Sequence, residues 1–298
     1  MDNLDSIEHL PRALALAEAA FPELTSSDPI TKAKIARYYD RAFWGYTLFH
    51  SREGAVHMAL GNRGFDGQAA EIAPFVPAEG PVLEVGCGRG YNLAYLAARH
   101  PGSAFTGIDY SRTHVRAAQR KLASLGNAAA SHGDFHALAF DDGQFPLIYA
   151  VETLCHAQDY PTVLAELFRV LAPGGRLIIF DGFRSSDTAA DNMAKAIRYT
   201  EAAMAVPAFA QIKAFERWAI QAGFAVEENS DLTANILPNL RHMARRARSF
   251  YARPILRRVV TALAPRELTQ NSVAALLMAT TCQAKAHSYR RLVLTKPG

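Results

Sequence analysis

Cysteine is scarce: Cys87, Cys155 and Cys282 are widely separated and form no CxxC pair. That spacing offers neither a disulfide framework nor a zinc knuckle, and a reducing cytoplasm is the expected compartment. Long apolar runs are missing too. The best candidate, 268–284, is interrupted by Thr269, Gln270, Asn271, Thr280, Thr281 and Gln283 and falls short of about 18 consecutive apolar residues. The first residues carry Asp2, Asp5 and Glu8 in place of a basic start and an apolar run, which argues against a secretory signal. The expectation is therefore a soluble, cytoplasmic protein. Charge is sparse at 20%, with 32 Lys+Arg against 28 Asp+Glu. Acidic residues are absent between Asp231 and Glu267, where Arg241, Arg245, Arg246, Arg248, Arg253, Arg257 and Arg258 gather. What is present in quantity is hydrophobic: 50% of 298 residues, enough for a substantial core, with no repeat or low-complexity tract.

Between 80 and 180, short apolar runs alternate with helical stretches. Strands are expected at 81–85, 104–108, 128–131, 147–151 and 176–180, and helices at 91–99, 111–125 and 161–171. Repeated βα units of this kind build an α/β fold with a parallel sheet and helices on both faces, an architecture suited to nucleotides. Gly174 and Gly175 are expected to break the chain before the fifth strand. Upstream, a helix entered through Asp28 and Pro29 spans 28–40 and leads into Phe43, Trp44, Tyr46 and Phe49, a segment that suits a lid. Downstream, helices are expected at 187–206 and 208–222, strands at 224–228 and 289–295, and a helical insertion between those strands. The expected organisation is a lid at 1–72, a ligand-binding core at 73–231, a helical cap over the substrate at 232–286 and a last core strand at 287–298.

The run Val82-Leu83-Glu84-Val85-Gly86-Cys87-Gly88-Arg89-Gly90 sets three glycines between a strand and a helix. Such a loop either passes close to a ligand while the helix presents unpaired N–H groups, or is a structural turn. Tyr91 stands where the dinucleotide fingerprint GxGxxG has its third glycine, so the pattern is GxGxG. Asp109, in Gly107-Ile108-Asp109-Tyr110, ends the second strand. A carboxylate there accepts hydrogen bonds from both ribose hydroxyls of NAD or of an adenosyl ligand. After the third strand, Gly133-Asp134-Phe135 supplies Asp134 for an adenine amino group and Phe135 for the ring, unless it is an ordinary loop.

In Glu84-Val85-Gly86-Cys87-Gly88-Arg89-Gly90, Gly107-Ile108-Asp109, Gly133-Asp134 and Leu171-Ala172-Pro173-Gly174-Gly175-Arg176-Leu177, taken in order, the chain resembles the class I S-adenosylmethionine-dependent methyltransferases. The resemblance implies a Rossmann-like seven-stranded sheet of order 3-2-1-4-5-7-6 with strand 7 antiparallel. It implies S-adenosyl-L-methionine as cofactor, lying over Gly86, Gly88 and Gly90 with its ribose on Asp109, Tyr110 beside it and its methionine end near Gly86 and Val151. Tyr149-Ala150-Val151-Glu152-Thr153-Leu154-Cys155-His156-Ala157 is similar to the corresponding stretch of the sterol C-methyltransferases. Tyr38-Tyr39-Asp40 and His57-Met58-Ala59 are similar to the aromatic segment of that group and of tocopherol-type natural-product methyltransferases, which act on lipophilic molecules.

Methyl transfer from a sulfonium needs in-line approach, an enclosed site and a proton acceptor, and no metal. His156 is the candidate general base, or else a histidine satisfied by backbone. Glu152 stabilises positive charge developing on an alkene, or anchors the lid. Tyr39 is expected to cap the cofactor, and Tyr38, Trp44 and Tyr46 to face the substrate, because π faces attract cations; aromatic core packing is the alternative. Cys87 and Cys155 are read as packing residues. The arginine-rich segment 241–258 is a solvated helix face, a surface for anionic lipid in peripheral contact, or a pocket for a prenyl diphosphate. No recognition motif points to nucleic acid. The first expectation is C-methylation of an isoprenoid-type alkene; the second is O-methylation of a phenolic or polyketide natural product with His156 as base. A catalytically inactive adenosyl-binding scaffold is the reading from another class, and a nicotinamide dehydrogenase comes last.

Overall fold

The computed structural model describes residues 7–25, 29–45, 47, 50–185 and 191–298; the side chain of Trp44 and all of Tyr46 lie outside that description. Seven strands, β1 (Gly80–Val85), β2 (Ser103–Asp109), β3 (Ala128–His132), β4 (Phe145–Val151), β5 (Leu171–Arg184), β6 (Ala225–Asp231) and β7 (His287–Thr295), form one sheet of order β3-β2-β1-β4-β5-β7-β6. Strands β1 to β5 pair in parallel, and β7 runs antiparallel to both β5 and β6. This is the expected sheet. The helices are α1 (Leu10–Ala20), α2 (Lys32–Gly45), α3 (Gly67–Ile72), α4 (Tyr91–Arg99), α5 (Arg112–Leu122), α6 (Tyr160–Val170), α7 (Asp191–Ala203), α8 (Ile212–Gln221), α9 (Thr233–Tyr251), α10 (Pro254–Leu263) and α11 (Arg266–Gln283).

Alternation along the strands divides the core into two layers. Leu83, Val85, Ile148, Ala150, Leu177 and Ile179 pack with Leu164 and Leu167 of α6 and Phe215 of α8. Val82, Leu147, Tyr149, Ile178 and Phe180 pack on the opposite face with Leu93 and Leu96 of α4, Leu240 of α9 and Ala279 of α11. A third cluster stands off the sheet: Leu10 and Leu14 of α1, Tyr199 of α7, Tyr251 of α9 and Val273 and Leu277 of α11. Buried Glu201 of α7 joins that helical cap to the sheet, accepting from the Arg184 guanidinium and, at 3.2 Å, from the Phe209 N–H, with His287 of β7 alongside.

Several expected elements are redrawn: α7 ends at Ala203, α8 begins only at Ile212, and β6 runs on to Asp231. Strand β5 begins at Leu171, because Gly174 takes φ 73° and donates its N–H to the Lys296 carbonyl at 2.8 Å, while pairing to β4 shifts register between Phe145 and Leu147. The two glycines are thereby absorbed as an irregularity within the strand. Helix α2 runs to Gly45 instead of stopping at Asp40, since no breaker intervenes, so the aromatic Phe43 belongs to the helix. Its start also lies later than expected, at Lys32, since the described residues 29–31 are not helical; Asp28, and 187–190 of the later helix, fall outside the described residues.

Beneath the loop that follows β1 lies a buried carboxyl, Glu84. It accepts from Tyr149 Oη at 3.2 Å and meets the Asn92 amide at 3.5 Å. Burial pushes its pKa from 4.5 up to about 8. The buried Asn92 Oδ1 has no partner, and an amide turned end for end would accept from a protonated Glu84. A carboxyl whose folded pKa is raised stabilises the fold fully below 4.5 and loses that contribution as pH rises through about 8. Glu84→Gln is neutral throughout, so between about pH 5 and about pH 9 the wild-type Tm should fall further than that of the variant, by about 6 °C. Parallel melting curves across that range would remove the buried neutral carboxyl.

Candidate active site

The order of the sheet reverses at β1, flanked by β2 on one side and β4 on the other, and ligands bind where carboxyl ends diverge in this way. Gly86 occupies the left-handed region at φ 68°, and a Cβ there would fall 2.1 Å from Thr153 Cγ2, so the two loops touch only because this residue is glycine. Gly90, at φ 73°, is the N-cap of α4, and a Cβ on it would lie 3.1 Å from Ala118 Cβ of α5. It serves helix packing, which explains why the third glycine stands one residue early. The Gly88 N–H donates to Asp109 Oδ2 at 2.9 Å and the Ser111 N–H to Oδ1 at 2.8 Å. Each oxygen keeps a lone pair for a further donor. Nearby His114 is buried, its Nε2 has no partner, and burial lowers its pKa.

Helix α2 covers these loops through polar contacts along its length. Lys32 Nζ bonds Asp134 Oδ2 at 2.6 Å; Asp40 Oδ1 accepts from Ser111 Oγ at 2.6 Å; Arg89 lies 3.8 Å over the Phe43 ring, donates to Thr47 Oγ1 at 2.7 Å and caps the Phe43 carbonyl. Asp134 also accepts from His136 N and Nδ1 at 2.9 and 2.8 Å, so both of its oxygens are engaged within the protein. Tyr39 Oη reaches His156 Nε2 at 2.7 Å. The ring of Tyr38 is buried edge-on to Tyr39, with centroids 5.1 Å apart.

The turn after β4 carries the other polar groups. Glu152 is held at φ 50°, and its Oε1 accepts from the Met58 N–H at 2.7 Å and from Tyr289 Oη at 2.9 Å. Burial, with Asp181 close by, raises its pKa to about 8, so it carries its proton at neutral pH. Asp181 of β5 holds the same turn, accepting from the N–H groups of Thr153 at 3.2 Å and Cys155 at 3.0 Å; burial raises it to about 6. His156 Nδ1 faces the Ala205 carbonyl at 3.2 Å. A carbonyl only accepts, so Nδ1 carries the proton and Nε2 receives the Tyr39 hydroxyl proton. Burial lowers the His156 pKa to about 4, leaving a neutral imidazole.

One cavity of about 570 Å³ joins these groups. Tyr39, Gly86, Gly88, Asp109, Tyr110, Phe135, Val151, Glu152 and His156 all line it. Of the other residues singled out in the sequence, Gly90 and Asp134 bound the loops behind it, Tyr38 is packed beneath Tyr39, and Trp44 and Tyr46 are not described at the side-chain level. The cavity then runs into the helical cap, between Ile236, Leu240, Met243 and Ala247 of α9 and Leu268, Ala275 and Met278 of α11. His114, Asp181 and Arg89 escaped sequence reasoning. A lone acid closing the apolar run Leu177 to Phe180 was the available signal for Asp181; for Arg89 and His114 no local pattern exists.

A family described as a methyltransferase domain matches residues 82–175. The chain is 34% identical over 167 residues to O-methyltransferase cnsE of Penicillium expansum, covering 55% of this chain and 59% of that protein. It is 29% identical over 228 residues to 24-methylenesterol C-methyltransferase 2 of Oryza sativa subsp. japonica, covering 71% and 62%. The chain thus spans about three fifths of the length of these curated relatives. Among solved structures, the cyclopropane synthase MmaA2 of Mycobacterium tuberculosis superposes with a TM-score of 0.76 at 11% identity, covering 91% of this chain and 100% of that one. The matched segment is thus similar to a methyltransferase domain, and the sheet order is the one expected for the class I methyltransferase fold.

Proposed function

We propose that this chain binds S-adenosylmethionine at the Gly86, Gly88 and Asp109 end of the cavity and methylates a hydroxyl of a lipophilic small molecule held at the other end. The observation that carries this reading is a single cavity that runs from the Asp109 carboxylate, past the neutral His156, into an apolar helical cap. The residues present fit the cofactor: Asp109 has lone pairs left for two hydroxyls, Gly86 and Gly88 bring bare backbone to the cavity wall, and the unpartnered His114 Nε2 offers a polar contact. Bound there, S-adenosylmethionine supplies an electrophilic methyl group on a sulfonium.

The chain's own residues do the rest. Helix α2 and the cap keep water from the reacting end, which strengthens each polar contact inside. The Ala205 carbonyl fixes the His156 tautomer, and Nε2 takes a proton from an acceptor hydroxyl, directly or through Tyr39. Glu152 is an anchor in this reading, its Oε1 being shared between Met58 and Tyr289. C-methylation of an alkene is the second reading. It is favoured by the aromatic faces of Tyr39, Phe135, Phe209 and Phe250 along the cavity, which suit a carbocation that His156 would quench. For a prenyl diphosphate, Arg246 is the one permanently cationic side chain along this cavity among the described residues, less than a diphosphate calls for.

Asp109→Ala should weaken S-adenosylhomocysteine binding in calorimetry by about 1–3 kcal/mol, through lost ribose hydrogen bonds; unchanged affinity would move the cofactor elsewhere. With an acceptor found by screening phenols, polyketides and isoprenoid alkenes, His156→Gln should lower kcat by about 10²–10⁴ with cofactor affinity intact. Because His156 is held down to about 4, the acidic limb of the wild-type rate profile should lie near that pH and not near 6.5, and a limb at 6.5 would exclude it as the base. Glu152→Gln keeps an oxygen for Met58 and Tyr289, so turnover should stay within about tenfold of wild type. A drop of about 10³ or more would make the Glu152 carboxylate a participant in the chemistry.

A further inference from the structure

Helix α10 buries none of its residues, although it is rich in apolar side chains. Ile255, Val259 and Leu263 follow one another at i, i+4 and i+8 and are exposed by 79%, 49% and 82%, with Leu256 beside them at 44%. They form one stripe facing away from the protein. Exposed Arg253 caps the start of the helix and exposed Arg258 lies within it beside the stripe, and no acidic residue occurs from 232 to 266. On the inner side, Val260, one turn on from Leu256, and Ala264 line the wall of the large cavity together with Phe250 and Leu268. Apolar surface therefore continues from the outside of α10 to the inside of the site.

We propose that α10 seats the protein on the surface of an anionic lipid bilayer, with the Ile255, Leu256, Val259 and Leu263 stripe among the acyl chains and Arg253 and Arg258 at the lipid phosphates. A short amphipathic helix with arginines flanking its apolar stripe lies in the plane of a bilayer interface in this way, and each arginine near such a surface gains from its negative potential. A second copy of the chain is a poor occupant: a two-fold contact through this face would set the same arginines against each other with no carboxylate between them. The seating turns the Val260 and Ala264 side of the cavity toward the lipid, so an acceptor dissolved in the bilayer reaches the site without crossing water. That last step rests on the methyl-transfer reading; the surface itself does not.

The test is co-sedimentation of the full chain with vesicles of phosphatidylcholine alone and of phosphatidylcholine with phosphatidylglycerol. The protein should pellet with the mixed vesicles, less so as salt rises, and only weakly with phosphatidylcholine. Ile255→Asp combined with Leu263→Asp should reduce the bound fraction about tenfold or more, and Arg253→Glu combined with Arg258→Glu should do the same. Ile220→Asp, which alters another exposed apolar residue, on α8, should leave binding unchanged. Equal pelleting of the α10 variants and the wild type, no pelleting on mixed vesicles, or self-association abolished by the aspartates in place of vesicle binding would each overturn the proposal. Calorimetry with S-adenosylhomocysteine on the same proteins separates the two readings, since the α10 variants should retain cofactor affinity whether or not they bind lipid.

Discussion

The turn that follows β4 holds the site together. Glu152 adopts a left-handed backbone that a residue with a Cβ enters only under constraint, and the constraint is visible on every side. Its carboxyl is shared by Met58 and Tyr289, its N–H donates to the Phe180 carbonyl at 2.7 Å, and Asp181 gathers the next N–H groups. With the turn fixed, Thr153 lies against Gly86 and sets how closely the glycine loop approaches β4, while His156 is carried to Tyr39. Three titratable groups, Glu152, Asp181 and His156, are buried here and all are shifted toward their neutral forms. Burial favours the neutral forms: at neutral pH Glu152 and His156 are uncharged, while Asp181, raised only to about 6, keeps its charge on the N–H groups that it holds.

Much of this was legible in the chain, and the parts that were not have a common cause. The strands could be read because β1, β2, β4 and the middle of β5 are short apolar runs ending at glycine or an acid, and α4 falls where its spacing placed it. The place of Asp109 at the end of β2, on the cavity wall, was legible from the strand pattern. The pairing of Asp134 with Lys32 was not, because Lys32 lies a hundred residues upstream and nothing near Gly133 announces it. The grip of Arg89 on Phe43 and the embrace of Glu152 by Met58 and Tyr289 are likewise contacts between distant segments. Aromatic residues after Asp40 look like a break in pattern, yet helix α2 continues through 43 and 44 to Gly45.

The apolar cap shows the same limit from another side. Its core draws on α1, α7, α9 and α11, four helices from three separate stretches of sequence, so no single stretch betrays it. Glu201, buried and joined to Arg184 and His287, locks that assembly to β5 and β7. An ion pair so placed is a costly thing to break on one side only, since it leaves the other charge buried without a partner.

The two ends of the cavity are made from different parts of the chain. Residues between Tyr39 and Asp181 furnish the end with the glycine loop, His156 and Asp109; α9 and α11 furnish most of the far end. They meet at Tyr289, whose hydroxyl donates to Glu152 while its backbone N–H donates to the Thr233 hydroxyl oxygen at the start of α9. A change of side chain on the cavity face of α9 or α11 therefore reshapes the far wall without touching the residues at the strand ends, and Tyr289 is the joint through which a change on one side reaches the other.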